Sequence, residues 1–136
     1  MSLVLLVAHH ERLEAAALAR AAATWLAERG HRAYMPPEDA AALHLEELTA
    51  ELPPSAADLA LSLGGDGTML RTVHLLEGAG TPIIGVNVGL LGYLTEVEPP
   101  ALETALGRWF AGPEDGEWQL DERMLLDITI DRVRGG

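Results

Sequence analysis

The chain has 136 residues, 49% of them apolar, no cysteine, and a formal charge of −12. That composition is globular rather than disordered, excludes disulfides and cysteine zinc sites, and disfavours an unguided grip on nucleic acid or anionic lipid. All nine basic residues are arginine, so there is no Walker A loop, whose lysine must reach the phosphates.

Leu3 to Ala8 is a short, continuous apolar run, which suits a strand buried on both faces of a parallel sheet. It has no charged leader or small-residue cleavage site and does not read as a secretion signal. No stretch approaches the ~20 apolar residues that span a bilayer. The expectation is therefore a soluble, cytoplasmic protein that binds neither membrane nor nucleic acid. Glu11 to Arg29 is rich in Ala, Leu, Glu and Arg, which favour a helix. Leu13, Ala17, Leu18, Ala21 and Trp25 lie near one stripe of it, and Gly30 supplies a stop. His31 to Met35 reads as a second strand, ended by Pro36-Pro37. Glu38 to Leu52 reads as a helix, stopped by Pro53-Pro54. Asp58 to Leu63 is a third strand, and Thr68 to Glu77 a helix with Leu70, Val73 and Leu76 at helical spacing. His74 shares the side of Leu70, which points to packing. Pro82 to Val86 is a fourth buried strand, and Pro99-Pro100 opens a helix running through Phe110. Trp25, Trp109 and Trp118 read as packing residues. Gly112 to Gly116 is turn-rich.

Strand–helix alternation with short connections predicts an α/β fold, an open and mainly parallel sheet with flanking helices. Residues 1–116 are expected to form that domain. Met124 to Val133 alternates with a period of two instead, the pattern of a half-exposed strand. Residues 117–136 therefore read as the start of a second, β-rich domain.

Eight of the 14 glycines fall between Gly64 and Gly92. Gly64-Gly65-Asp66-Gly67-Thr68 follows a predicted strand and precedes a predicted helix, and open α/β sheets bind ligands at that end of their strands. Glycines there let backbone N–H groups approach a phosphate, and the helix start adds partial positive charge. Asp66 repels phosphate but can accept the proton of an alcohol that attacks a phosphoryl group. A carboxylate is a weak base, tolerable here because a loose transition state lets the proton leave late. The plain alternative is a Gly-Asp-Gly turn with Asp as a helix cap. From Gly64 to Thr95 the only charged side chains are Asp66, Arg71 and Glu77, so most of the acid load lies elsewhere. Phosphates would meet backbone amides, a helix end, Arg71 and a metal ion.

Gly64-Gly65-Asp66-Gly67-Thr68-Met69-Leu70 resembles the signature of NAD kinases. The core is shared with diacylglycerol and sphingosine kinases and, in similar form, with phosphofructokinases. The segment Ile84 to Glu96, with Asn87, Gly89, Gly92 and Tyr93, resembles the second NAD kinase signature and sets the chain apart from the lipid kinases. Arg123-Met124-Leu125-Leu126 is similar to an Arg-bearing strand entry of the same family. The resemblance implies a Rossmann-like, phosphofructokinase-like N-terminal domain. It implies phosphorylation of the adenosine 2′-hydroxyl of NAD to give NADP, with ATP or polyphosphate as donor and Mg²⁺ or another divalent ion as cofactor. Asp66 would be the base, with Gly64, Gly65, Gly67 and Thr68 around it. Arg71, Asn87 and Tyr93 would contact nucleotide. It also implies homo-oligomers. The family's second domain carries an Asn-Glu or Asn-Asp motif, but Asn87 is the one asparagine here, so these residues alone are expected to have little or no activity.

Other readings of single residues stand beside these. Arg71 also suits a solvated helix face, Tyr93 a core aromatic, and Asn87 a turn. His9-His10 follows the first strand, but no acidic residue has metal-motif spacing to it. At the level of the whole chain, a non-catalytic nucleotide-binding or oligomerising module, or a lipid or sugar-phosphate kinase, is the alternative.

Overall fold

The computed structural model describes residues 1–88, 99–112 and 114. Four strands form one sheet: β1 (Leu3–Ala8), β2 (Arg32–Tyr34), β3 (Leu59–Gly64) and β4 (Ile83–Asn87). Their order is β2-β1-β3-β4 and every pairing is parallel. The α/β expectation with a parallel sheet holds. Among the described residues, four α-helices connect or follow the strands: α1 (Leu13–Glu28), α2 (Pro37–Leu43), α3 (Asp66–Leu75) and α4 (Leu102–Ala111). Single 3-10 turns lie at Glu46–Leu48, Pro54–Ala56 and Pro99–Ala101.

The apolar runs form strands because both sheet faces are covered. Val4, Leu6, Ala8, Leu59, Leu61, Leu63, Ile84 and Val86 face α1, α2 and α4. Leu5, Val7, Ala60 and Ile83 lie on the opposite face with Met69 and Leu76 from the α3 segment. Alternate residues thus go to opposite cores, and no polar face is left to produce an alternating pattern. Asp58 fixes the entry to the central pair: Leu3 N–H donates to its Oδ2 at 2.9 Å, and its own N–H donates to Leu3 O at 2.8 Å.

Three expected details differ. The buried stripe of α1 is Ala15, Ala19, Ala22 and Leu26, while Leu13 is 87% exposed. Alanine recurs on every side of this helix, so apolar spacing does not mark one face. The smallest side chains are the ones turned to the sheet. Next, the helix expected over Glu38 to Leu52 ends at Leu43, because His44 adopts a left-handed conformation (φ 57°) and Leu45 N–H closes on Ala40 O at 2.8 Å. Pro36 caps it and Pro37 opens it, where a missing N–H does no harm. Finally, Leu70 is 58% exposed and His74 is exposed, whereas Thr68, Met69 and Thr72 are buried. Trp25 and Trp109 pack at the edge of the core as expected, and Trp25 stacks at 6.2 Å on Phe110. Trp118 and the strand expected over residues 124–133 lie outside the described residues.

Tyr34 closes the second core. It is buried, and its hydroxyl donates to Pro53 O at 2.7 Å. Burial first, and the nearby Asp58 charge second, raise its pKa above the ordinary 10.0. The folded state therefore holds the phenolic proton more tightly than the unfolded state does. The resulting stability is complete below pH ~10 and falls as pH rises through the folded-state value. Tyr34→Phe is expected to lose about 1 kcal/mol at neutral pH and to flatten the alkaline decline. Urea unfolding at pH 7 and above pH 10 checks both; an alkaline slope equal to that of the parent chain would refute the assignment.

Candidate active site

The strand order reverses between β1 and β3. β2 lies on one side of β1 and β3 on the other, so the helices after β1 and β3 leave on opposite faces. In open α/β sheets ligands bind in the crevice outside the carboxyl ends of the two strands at such a reversal. The glycine loop sits there. β3 ends at Gly64, Gly65 caps α3, and Asp66 begins the helix. Met69 N–H makes the first helical bond back, to Gly65 O at 3.0 Å, so the N–H groups before it have no partner within the helix. Asp66 is half-buried in that first turn.

The three loop glycines serve different needs. Gly64 is required by packing: a Cβ there would lie 2.7 Å from Thr68 Cβ, inside that side chain. Thr68 is itself buried, and its carbonyl accepts from Thr72 Oγ1 at 2.8 Å. Gly65 and Gly67 have nothing within 4 Å of an added Cβ, and neither has positive φ. A left-handed turn therefore does not explain them. Their bareness leaves the backbone at the head of α3 open to a close ligand.

Other expected residues gather at the same edge. Asn87 pairs in register with Gly64, and Val88 N–H donates to Gly64 O at 2.9 Å. This places the end of β4 beside the loop. His9 N–H donates to Leu63 O at 3.0 Å, placing the end of β1 there as well. Tyr93 lies outside the described residues.

Arg71 is neither a purely solvated residue nor a free one. Its Nη1 donates to Asp39 Oδ1 at 2.9 Å, and its Nη2 donates to Ala8 O at 2.9 Å. Asp39 Oδ1 also accepts from His10 Nε2 at 2.6 Å, and Oδ2 accepts from Ala8 N–H at 3.0 Å. Asp39 is fully buried, whereas the side chains of Arg71 and His10 remain 36% and 40% exposed. Sequence reading missed Asp39. In the chain it is one of two acids in the first turn of α2, ordinary for a helix start. His10 thus has an acidic partner after all, supplied by α2 rather than by a sequence motif. Among the described residues no three His, Asp or Glu side chains gather to hold a metal, and no helix is long and apolar enough to cross a membrane.

The sequence matches the ATP-NAD kinase N-terminal domain over residues 4–113. The chain belongs to that family. It is 41% identical over 113 residues to a NAD kinase of Geobacter metallireducens, covering 80% of this chain and 37% of the relative. It is 43% identical over 109 residues to a NAD kinase of Moorella thermoacetica, covering 79% and 34%. With a NAD kinase of Desulforamulus reducens it shares 35% over 139 residues, 100% of this chain and 46% of the relative. The chain thus spans less than half the length of these relatives.

Proposed function

We propose that this chain is the nucleotide-binding part of a NAD kinase. The reaction transfers the terminal phosphoryl group of ATP, or of polyphosphate, to the adenosine 2′-hydroxyl of NAD. The observation that carries this reading is the placement of Asp66: a carboxylate at the open head of α3, between bare Gly65 and Gly67, in the crevice where the sheet reverses. Asp66 accepts the 2′-hydroxyl proton, the 2′-oxygen bonds to the terminal phosphorus, and the bond from that phosphorus to the bridging oxygen breaks, with ADP or the polyphosphate shortened by one unit as leaving group. Backbone N–H groups at the head of α3 meet phosphate oxygens. Gly64 lets Thr68 close against the strand end, which fixes the loop.

A divalent ion fits this donor set. Mg²⁺ is held by one or two carboxylates plus substrate phosphates rather than by an all-protein cage, and the loop offers the single carboxylate Asp66. When bound, the ion neutralises the charge of the transferring phosphates. Asn87 and Tyr93 complete the nucleotide contacts in this reading. Residues 1–116 form the nucleotide-binding domain and 117–136 begin a second, β-rich one. The working protein is cytoplasmic and homo-oligomeric.

The experiment is direct. Protein at the length of its relatives, given NAD, ATP and Mg²⁺, is expected to form NADP, while residues 1–136 alone form little or none. Chromatographic quantitation of NADP checks both. Absence of NADP from the longer protein with either ATP or polyphosphate would refute the reading; rapid turnover by the 136 residues would refute the need for a second domain.

A further inference from the structure

The strongest unassigned feature is the buried carboxylate of Asp39. One side chain from α2 holds three other elements at once. It accepts from the Ala8 peptide at the end of β1, from the Arg71 guanidinium on α3, and from the His10 imidazole after β1, at 3.0, 2.9 and 2.6 Å. Arg71 Nη2 closes the ring on Ala8 O at 2.9 Å. An ionised carboxylate only accepts, so the network assigns a proton to His10 Nε2.

Part of this arrangement is structural, since Asp39 and Arg71 pair the N–H and carbonyl of the buried Ala8, but that does not require the charged fork. A buried ion pair gives little or no net stability over apolar residues of similar volume. What apolar residues cannot do is orient an arginine fork. Arg71 follows Asp66 by five positions on α3, and helical side chains lean toward the helix N-terminus. The guanidinium therefore reaches back to Ala8, whose register partner is Leu63, next to Gly64. Asp39 and Ala8 engage one hydrogen on each of two nitrogens, and the remaining donors of the five belong to a side chain 36% exposed. The charges of Asp39 and Arg71 cancel, so the pair offers aimed donors rather than net charge. Fixing them beforehand removes the ordering cost that a free arginine meets when a ligand arrives.

We propose that Asp39 is a positioning residue. It presents Arg71 as a preformed donor for phosphate oxygens of the nucleotide in the crevice, while His10 spends its Nε2 proton on the same carboxylate and steadies it. This rests on the reading of that crevice as the nucleotide site. Guanidinium geometry matches phosphate oxygens, whereas an ammonium acts as a point charge.

The test uses the protein at the length of its relatives. Asp39→Asn keeps the shape and one acceptor oxygen but removes the charge that holds both donors. KM for NAD is expected to rise roughly tenfold, the low end of what loss of an orienting partner costs at metal sites, while kcat changes less than about threefold. Arg71→Lys keeps charge without the fork. The double variant D39N/R71K is expected to match R71K alone in KM, because residues acting through one another are not additive. Additive effects, or an unchanged KM in folded D39N, would overturn the proposal. Should D39N not fold, Asp39→Glu supplies the same comparison, since a longer carboxylate displaces the fork while keeping its charge. Inorganic pyrophosphate, titrated by calorimetry, separates this inference from the kinase reading. Protein that makes no NADP but binds pyrophosphate more tightly than D39N would refute the kinase reading and support the role of Asp39. Equal pyrophosphate affinity in the two, or none in either, would overturn the proposal whatever the kinase result.

Discussion

Asp66→Asn is expected to lower NADP formation by about 10²–10⁴-fold, the usual contribution of a positioned general base. Asparagine has nearly the same volume and shape but takes up no proton at neutral pH. The substitution therefore removes the acceptor while leaving the loop filled. Stability should change little. Asp66 is half-buried at the first position of α3, where loss of its charge forgoes about 0.3–1 kcal/mol of favourable interaction with the helix dipole. Initial rates of NADP formation, read beside the melting temperature, separate the two effects. A folded variant that retains more than a tenth of the parent rate would remove Asp66 from the role of base. A large fall in melting temperature would show instead that Asp66 holds the loop together.

Arg71→Met is expected to give the largest loss of stability, about 3 kcal/mol, because it leaves the Asp39 carboxylate buried without its cationic partner. The figure is set at the low end of the usual range since Arg71 is itself 36% exposed. Asp39 is fully buried, and water cannot replace the guanidinium easily. For a chain of this size the corresponding fall in melting temperature is roughly 10 °C. The companion double variant, Asp39→Leu with Arg71→Met, should recover only part of that loss: it removes the unpaired charge but leaves the buried Ala8 N–H and carbonyl without their side-chain partners. Denaturant unfolding of the single and double variants checks both values. If Arg71→Met costs less than about 1 kcal/mol, the ion pair is as dispensable as an exposed one. The double variant is also expected to lose the aimed donors while regaining part of the stability, which separates what the network does for folding from what it does for binding.

Much of the fold was legible in local pattern. Leu3–Ala8, Leu59–Gly64 and Ile83–Asn87 are strands with both faces covered, so their buried side chains are adjacent in the chain and need no partner to be recognised. The Gly64–Thr68 loop was legible for a similar reason. Its chemistry depends on five consecutive residues between a strand and a helix, and the structure sets them at the crevice. The buried face of α1 was not legible, because an alanine-rich helix has no distinct apolar stripe and only the neighbouring sheet selects Ala15, Ala19, Ala22 and Leu26. The end of α2 escaped too, since no glycine marks it and His44 takes the left-handed conformation itself.

The sequence alone determined the parallel α/β layout, the position of the glycine-aspartate loop, and the family. Each of these is written in residues close together along the chain. The tertiary structure alone decided that Gly64 is needed for packing while Gly65 and Gly67 are left bare. It also decided that Arg71 is held rather than loose. Its partner Asp39 lies 32 residues away in the chain, and the Ala8 carbonyl 63. Local pattern does not encode a contact of that kind. It exists because β1 and β3 run side by side and bring the first turn of α2 and the second turn of α3 to the same strand end.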